Sequence, residues 1–268
     1  MTKPSAFDLS GRRAVITGGT QGVGAAIAVA MADSGADVCL LGLQHDAAAA
    51  ETQRRCRSYG VACEVITTDM ASPPGQWLPS LMDRIDSQFG NVDSLVNNAG
   101  TYRDKPFLEM DFETFDQTFQ LNVASGYFLT QAFARRWVRD GVGGRIVFTG
   151  SINGFLAEND HTAYDASKGA VAAMVRSLCV SLAPHNIRVN SMAPGLVVTP
   201  LTDIVDRDAN VRRWMEMHTP NGQVPGPEVC GHTVVFLLSD AAAHIHGQTI
   251  LVDGGMSAWQ QPDPPATP

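Results

Sequence analysis

The stretch T-G-G-T-Q-G-V-G, from Thr17 to Gly24, decides the fold. It follows the apolar run R-R-A-V-I-T, which is typical of a buried strand, and it leads into a helical pattern. Glycines at positions 18, 22 and 24 allow a tight turn and close approach of a ligand to the backbone. The free N–H groups that begin the next helix can then bind a pyrophosphate. This turn, between a strand and a helix, therefore predicts a dinucleotide-binding site.

The rest of the chain alternates short apolar runs with longer helical patterns. The pattern predicts strands over residues 12–17, 37–42, 61–67, 92–97, 145–150, 187–192 and 248–252. It predicts helices over residues 22–34, 46–60, 73–90, 111–140, 162–183 and 227–239. Strict alternation implies right-handed β-α-β crossovers. We therefore expect the α/β class, as a Rossmann-type, doubly wound, three-layer αβα sandwich with a seven-stranded parallel sheet.

The chain has no internal repeat and no linker, so residues 1–268 are predicted to form a single dinucleotide-binding and catalytic domain. Residues 201–225 carry little strand signal and mix apolar residues with charges. We interpret them as a substrate lid inserted into the domain. The proline-rich residues 259–268 are predicted to be a flexible tail.

Composition narrows the range of functions. The net charge of −8 argues against a nucleic-acid partner, which would require a basic face. No window has the ~18 uninterrupted apolar residues of a membrane span, and the first residues lack a signal sequence, so we expect a cytoplasmic protein without a membrane partner. The five scattered cysteines form no C-x-x-C pair, and His244 and His246 lack a third ligand nearby in sequence, so no metal site is predicted.

Further motifs follow the glycine-rich turn. They are N-N-A-G at Asn97–Gly100, a helical Asn122, a strand-end Ser151, Y-x-x-x-K at Tyr164–Lys168, and the Pro194–Gly195 pair. In this order, the motifs resemble those of the short-chain dehydrogenase/reductase family over nearly the whole chain, from about residue 9 to residue 256. The resemblance implies an NAD(P)-dependent oxidoreductase. Such an enzyme interconverts a secondary alcohol and a ketone by direct hydride transfer.

Tyr164 and Lys168 are predicted to form the catalytic pair, because residues i and i+4 share one helix face. A nearby ammonium is expected to lower the tyrosine pKa and to prepare the phenol for proton transfer. Asp165 points about 100° around the helix and is not expected to interfere. The resemblance implies that Ser151 positions the substrate oxygen and that Asn122 anchors a water that relays protons to the lysine. A turn or helix-capping serine and a buried structural amide remain the alternatives.

The resemblance also implies a set of cofactor-binding residues along the strand ends. Asp69 resembles the residue that bonds the adenine amino group, and Thr199 the residue that bonds the nicotinamide amide. The whole predicted set is Gly18, Thr20, Gln21, Gly22, Val23, Gly24, Leu43, Gln44, His45, Asp69, Met70, Asn98, Ala99, Gly100, Tyr164, Lys168, Pro194, Gly195, Val197 and Thr199.

The choice between NAD and NADP depends on the end of the second strand. An acidic residue there favours NAD and an arginine favours NADP. This chain has Gly42 and Leu43 at those positions, and Gln21 stands where NADP-dependent relatives often place arginine. The absence of arginine leads us to expect NAD slightly more than NADP, with His45 as the candidate phosphate contact.

The substrate is a small alcohol or ketone that the sequence does not identify. Sugars, polyols, 3-oxoacyl thioesters, steroids and xenobiotic ketones all remain open. Residues 158–161 form a polar run that suits a polyol or sugar, or else a solvated loop. Phe155, Leu156, Trp214 and Met215 are candidates for the pocket or for lid packing. The surplus apolar surface on helices 111–140 and 162–183 predicts an interface, and the resemblance implies a homotetramer.

The main alternative is a catalytically silent Rossmann protein that senses nucleotides. Such relatives typically lose the tyrosine or the lysine, and this chain keeps both. Halohydrin lyases replace the lysine and lose the glycine turn, and enoyl reductases space the tyrosine and lysine more widely. Neither departure is present here, so the sequence favours the oxidoreductase.

Overall fold

The core of the protein is one sheet of seven parallel strands in the order β3-β2-β1-β4-β5-β6-β7. The computed structural model describes residues 5–200, residue 202 and residues 204–259. The strands are β1 Arg13–Thr17, β2 Asp37–Gly42, β3 Cys63–Thr67, β4 Ser94–Asn97, β5 Arg145–Thr149, β6 Arg188–Pro194 and β7 Thr249–Val252. The predicted doubly wound sandwich is confirmed. The strand order reverses between β1 and β4, where ligands bind in such sheets.

Helices cover both faces of the sheet. They are α1 Gly22–Asp33, α2 Ala47–Arg57, α3 Pro74–Gln88, α4 Phe112–Phe119, α5 Ser125–Asp140, α6 Thr162–Leu182, α7 Ile204–Arg207, α8 Ala209–His218 and α9 Glu228–Leu238. Alternate residues of β1 enter opposite cores, since Val15 packs with Leu129 and Phe133 of α5 while Ile16 packs with Ile27 of α1. Each large apolar side chain buried in this way contributes roughly 1.5–3 kcal/mol.

The predicted long helix over residues 111–140 is divided into three parts. A π-helical turn, Gln120–Ala124, separates α4 from α5 and contains Asn122. Hydrophobic periodicity does not distinguish a π turn from continuous helix, because the extra residue shifts the apolar stripe by only part of a turn. Turns of this kind occur frequently at functional sites.

Among the described helices, one stretch, residues 162–185, is long and apolar enough to span a membrane by length and composition alone. It comprises α6 and the short turn after it. Val171, Met174 and Val175 of this helix are buried in the core against the sheet. The same helix carries Tyr164 and Lys168 at its N-terminal end.

The predicted lid, residues 201–225, contains the short helices α7 and α8. Leu201 and Asp203 lie outside the described residues, as does nearly all of the predicted tail, residues 260–268. Trp259 is the one tail residue that is described, and its side chain is partly exposed.

Candidate active site

The glycine-rich turn has a backbone that only glycine adopts readily. Gly18 and Gly22 have φ angles of +60° and +54°, in the left-handed region. A Cβ atom at Gly24 would overlap the carbonyl oxygen of Gly18 and the side-chain amide of Asn98. The turn ends at the first residue of α1, so backbone N–H groups at the start of this helix are available to an anion. These residues therefore fit the pyrophosphate of a dinucleotide.

Asn98, at the end of β4, forms hydrogen bonds with the ends of β1 and β5 beside this turn. Its Nδ2 donates to the carbonyl oxygens of Thr17 and Gly18 at 3.0 and 3.2 Å. Its Oδ1 accepts from Oγ1 of Thr149 at 3.1 Å, and its backbone N–H donates to Oγ1 of Thr17 at 2.8 Å. The carboxyl ends of β1, β4 and β5 are consequently held by one side chain.

A cleft of about 560 Å³ lies over this edge of the sheet. Nearly all the predicted cofactor-binding residues line it: Gly18, Thr20, Gln21, Gly22, Val23, Gly24, Leu43, Asp69, Met70, Asn98, Ala99, Gly100, Tyr164, Lys168, Pro194, Gly195, Val197 and Thr199. Gln44 and His45 are exposed and are not among the lining residues. The chain turns away there into α2, whose N-terminal cap is Asp46.

At the end of β2, the position where an acidic residue would favour NAD is occupied by Gly42, which packs against the glycine-rich turn. A Cβ atom at Gly42 would lie 2.6 Å from Cγ2 of Thr20, so a side chain at this position conflicts with the glycine-rich turn. The next residue, Leu43, is 66% exposed and lines the cleft. Neither an acid nor an arginine therefore faces the cleft from the end of β2.

Tyr164 and Lys168 lie side by side at the bottom of the cleft, as predicted. Nζ of Lys168 is 5.6 Å from the centre of the Tyr164 ring and donates to the carbonyl oxygen of Thr149 at 3.0 Å. Burial lowers the pKa of Lys168 to about 8. Burial raises the pKa of Tyr164, and a hydrogen bond with Ser151 offsets part of this rise. The predicted lowering of the tyrosine pKa by the lysine was therefore wrong for the ligand-free protein, because desolvation dominates.

Asn122 is buried behind the cleft and does not line it. Its Oδ1 accepts from the backbone N–H of Thr101 at 2.8 Å. Its Nδ2 donates to the carbonyl oxygen of Thr101 and to Oγ of Ser167, each at 3.0 Å. The side chain thus joins the π turn to the loop after β4 and to α6, which matches the structural alternative. Its Oδ1 also lies 3.3 Å from the position of a Cβ at Gly100, which is itself 3.8 Å from Nζ of Lys168.

Ser151 caps a turn and also lines the cleft. It caps the 3₁₀ turn Ile152–Gly154, because its Oγ accepts from the backbone N–H of Asn153 at 3.1 Å. It also lines the cleft, as Tyr164 does. The same Oγ donates to Oδ1 of Asn153 at 3.3 Å. These bonds therefore fix the position of the Ser151 hydroxyl within the cleft.

Asp165 has a role that the sequence analysis missed. Its Oδ1 accepts from Nδ2 of Asn153 at 2.8 Å, and its Oδ2 accepts from the backbone N–H of Glu158 at 3.1 Å. Nδ2 of Asn153 also donates to Oε1 of Glu158 at 3.2 Å. Helical spacing gives the direction of Asp165 but does not show that the Ser151 loop passes there.

The loop after β4 packs an aromatic ring against Tyr164. The Tyr102 ring contacts the rings of Tyr164 and His161 edge-on, with centroid distances of 5.5 and 4.7 Å. Nε2 of His161 lies 2.8 Å from Oδ1 of Asp104, and Nδ1 lies 3.3 Å from Oε2 of Glu158. Tyr102 was missed, although its position just past a strand end could have indicated it.

The substrate end of the cleft mixes polar and apolar side chains. Trp214 and Met215 of α8 line it, as predicted, whereas the predicted Phe155 and Leu156 are exposed to solvent outside the lining. Arg103, Gln117 and Leu121 also line the cleft, and none of them was predicted from the sequence. Within the described part of the chain, no group of three or more His, Cys, Asp or Glu side chains could hold a metal ion.

Comparison with known proteins places this geometry in a family. A family model described as enoyl-(acyl carrier protein) reductase matches residues 18–257. The chain is 34% identical to an L-rhamnose 1-dehydrogenase (NAD(P)(+)) of Sphingomonas sp., over 92% of this chain and 97% of that protein. It is also 34% identical to a 2-dehydro-3-deoxy-D-gluconate 5-dehydrogenase of Escherichia coli, over 95% of this chain and 98% of that protein.

A solved structure agrees with these relatives. A gluconate 5-dehydrogenase of Burkholderia cenocepacia, in complex with NADP and tartrate, superposes with a TM-score of 0.87. It is 31% identical, and the match covers 95% of this chain and 98% of that chain. The chain therefore belongs to the short-chain dehydrogenase/reductase family and is an NAD(P)-dependent oxidoreductase that acts on CH–OH groups.

Proposed function

We propose that Tyr164 is the proton donor and acceptor for the substrate oxygen and that Ser151 positions that oxygen. The bound nicotinamide supplies or accepts the hydride at the carbon. The observation that carries this proposal is that Tyr164, Ser151 and the buried Lys168 line one cleft at the carboxyl edge of the sheet. Because burial keeps Tyr164 protonated at neutral pH, its ground state is the acid that carbonyl reduction requires.

We propose that Lys168 bonds the nicotinamide ribose and stabilises a phenolate at Tyr164, since it lines the cleft beside the tyrosine ring. Its pKa of about 8 lets it carry or release a proton near neutral pH. Asn122 orders the backbone around it by bonding both the N–H and the carbonyl of Thr101. We propose that Asn122 anchors the relay through this scaffold, since its side-chain groups already have protein partners.

We propose a polyhydroxylated substrate, of the sugar or sugar-acid class. Glu158 and His161 line the cleft and make that part of its wall polar. Trp214 of α8 also lines the cleft. The relatives named for L-rhamnose and for 2-dehydro-3-deoxy-D-gluconate act on substrates of this class. A steroid or long-chain thioester fits these polar groups less well.

We propose that the enzyme accepts both nicotinamide cofactors. No acid at the end of β2 repels a 2′-phosphate, and no arginine there binds one. One relative is named for NAD(P)(+), and the solved gluconate 5-dehydrogenase contains NADP. The slight expectation of NAD is therefore not confirmed, and we expect kcat/KM values for NADH and NADPH within about tenfold of each other, a difference of about 1.4 kcal/mol.

We further propose a homotetramer in the cytoplasm. Tyr127, Phe128 and Val138 of α5 and Val180 of α6 expose between 41% and 76% of their surface, on the two helices where the sequence predicts an interface. Exposed apolar patches of this kind mark association surfaces. Light scattering should give four times the chain mass, and a monomer would contradict the assembly. Cell fractionation tests the location.

The deciding experiment is a panel of aldoses, polyols, aldonates and simple ketones assayed with both cofactors. Formation or loss of the reduced nicotinamide, followed by its absorbance, reports turnover. We expect turnover with members of the sugar and sugar-acid classes and little with the ketones. Tight cofactor binding without turnover on any substrate would instead favour the nucleotide-sensing alternative.

A further inference from the structure

Arg103 lines the cleft from the loop after β4, and its side chain is exposed. In the part of the chain that the structure describes, its guanidinium has no hydrogen bond, ion pair or ring contact. A guanidinium has five N–H donors and a permanent positive charge. This side chain can therefore bind a ligand in the cleft without breaking a contact to the protein.

The loop that carries Arg103 is fixed on both sides of it. The Tyr102 ring contacts the Tyr164 ring edge-on, with a centroid distance of 5.5 Å. The backbone N–H of Lys105 donates to the carbonyl oxygen of Asp160 at 3.0 Å. Arg103 is therefore one residue from a contact with the proposed catalytic tyrosine, and its backbone is held against the loop before α6.

Two acidic residues of these loops have partners other than Arg103. Oδ1 of Asp104, the next residue along the chain, lies 2.8 Å from Nε2 of His161. Oε2 of Glu158 lies 3.3 Å from Nδ1 of the same histidine, and its Oε1 accepts from Nδ2 of Asn153 at 3.2 Å. The protein therefore leaves the charge of Arg103 without a counterion.

Arg103 also differs from the other basic groups of the cleft. Five acidic or basic side chains line it: Asp69, Arg103, Glu158, His161 and Lys168. Lys168 and His161 are buried, and Nζ of Lys168 already donates to the carbonyl oxygen of Thr149 at 3.0 Å. In the described structure, Arg103 is thus the one exposed cation in the lining of the cleft.

We propose that Arg103 binds the carboxylate of the substrate, so that this enzyme acts on a sugar acid and not on a neutral sugar. The inference rests on the proposed polyhydroxylated substrate and gives it a negative charge. A guanidinium presents two parallel N–H groups to the two oxygens of a carboxylate. A phosphate ester carries up to two negative charges at neutral pH, and the lining offers a single exposed cation for them.

Binding at Arg103 would also orient the substrate. With its carboxylate held on the loop after β4, the carbon chain extends towards Tyr164, whose ring lies against the same loop. A charged anchor remote from the reacting carbon places that carbon in one geometry. Arg103 is in this sense a specificity-determining residue, and the chemistry stays with the groups at the bottom of the cleft.

The test compares ligands that differ only in the carboxylate. D-Gluconate and D-sorbitol share one open-chain configuration, and sorbitol has a hydroxymethyl group where gluconate has its carboxylate. Each is titrated by calorimetry into protein loaded with NADPH, because an alcohol cannot transfer a hydride to a reduced cofactor. Other aldonates and their matching alditols are then measured in the same way.

We expect the wild-type protein to bind an aldonate more tightly than the matching alditol. Arg103→Met should weaken aldonate binding by about 10–100-fold and leave alditol binding within about twofold. Arg103→Lys keeps the charge but loses the two parallel donors, so its loss should be intermediate. Raising the salt concentration should weaken binding of the aldonate alone.

The matched control is Arg55→Met. Arg55 is an exposed arginine of α2 outside the lining of the cleft, so its loss changes the net charge equally and should leave aldonate affinity unchanged. Arg103→Met weakening both ligands equally, or neither, would overturn the proposal. So would wild-type protein that binds no aldonate, or that binds a sugar phosphate more tightly than the matching aldonate.

The outcomes separate this inference from the proposed function. Turnover of neutral sugars without binding of any aldonate would leave the proposed oxidoreduction intact and refute the role of Arg103. Aldonate binding that depends on Arg103, without turnover of any substrate, would support the role of Arg103 and contradict the proposed chemistry at Tyr164.

Discussion

The Lys168 ammonium group lies over the Tyr164 ring, 5.6 Å from its centre, in a site where both residues are largely removed from water. Burial acts in opposite directions on the two groups. It lowers the lysine pKa to about 8 and raises the tyrosine pKa. At neutral pH the phenol of Tyr164 therefore keeps its proton. Of the two groups, Lys168 has the pKa closer to neutral pH.

Replacing Lys168 by methionine should stabilise the ligand-free protein. A folded-state pKa of about 8 against 10.5 for a free lysine corresponds to ~3 kcal/mol of destabilisation below pH 8. The substitution also removes the hydrogen bond to the carbonyl oxygen of Thr149, which reduces the gain in stability by about 1 kcal/mol. Urea unfolding of Lys168→Met at pH 7 should give a free energy of unfolding about 2 kcal/mol higher than wild type, with turnover lost.

The extra stability of Lys168→Met should decrease as the pH rises from 8 to 10.5. Between pH 8 and 10.5 the unfolded lysine holds its proton and the folded one has lost it, so wild-type stability rises with pH and the variant's advantage disappears. Lys105→Met, which removes a surface lysine paired with Asp111, is the control and should change stability by less than ~1 kcal/mol. A constant advantage from pH 7 to 10.5 would show that the lysine is not desolvated.

Tyr164→Phe should remove turnover while cofactor binding persists. The substitution deletes only the hydroxyl that exchanges the proton with the substrate, and general acid–base catalysis of this kind contributes about 10²–10⁴-fold. Steady-state rates, with fluorescence titration of the reduced nicotinamide, measure the two properties separately. Turnover within tenfold of wild type would exclude Tyr164 as the proton donor.

Gly24→Ala should abolish binding of both nicotinamides. Its Cβ would overlap the Gly18 carbonyl, so the turn that holds the pyrophosphate must move. The matched control is Gly75→Ala in the first turn of α3, where a Cβ meets no atom within 4 Å. That control should keep wild-type affinity in the same titration. Equal affinity of the two variants would contradict the assigned pyrophosphate site.

Leu43→Arg should shift cofactor preference towards NADPH. Leu43 is exposed and lines the cleft at the end of β2, where a guanidinium can pair with a 2′-phosphate. A charge-assisted hydrogen bond of this type is worth about 1.5–3 kcal/mol, so kcat/KM for NADPH should rise by about 10–100-fold. Leu43→Met serves as the control for lost packing. An equal rise for NADH and NADPH would mean that the ribose lies elsewhere.

Much of this site could be predicted from the sequence, because most of its residues lie at or just after the carboxyl ends of strands. The glycine-rich turn, Tyr164, Lys168 and Ser151 all lie where strand order and helical spacing put them. The failures have one physical cause, which is that local spacing does not show what packs against a side chain. Asp165 was dismissed from its helical angle, although its contact is Asn153 on another loop.

Local sequence spacing also does not predict the pKa values of the site or the interruption of the long helix. The Tyr164 pKa depends on burial, which spacing does not measure. The π turn contains Asn122, whose side chain bonds Thr101 and Ser167, residues of other elements. His45 was chosen by its position along the chain, and the course of the chain into α2 takes it out of the cleft.

Asn98 has a consequence for how this enzyme can be changed. By joining the ends of β1, β4 and β5 through one amide, it makes the nucleotide half of the cleft a fixed frame. Arg103, Trp214 and Met215 also line the cleft, and Asn98 forms no hydrogen bond with them. Substrate scope can therefore be altered at these three positions while the strand ends that Asn98 joins stay as they are.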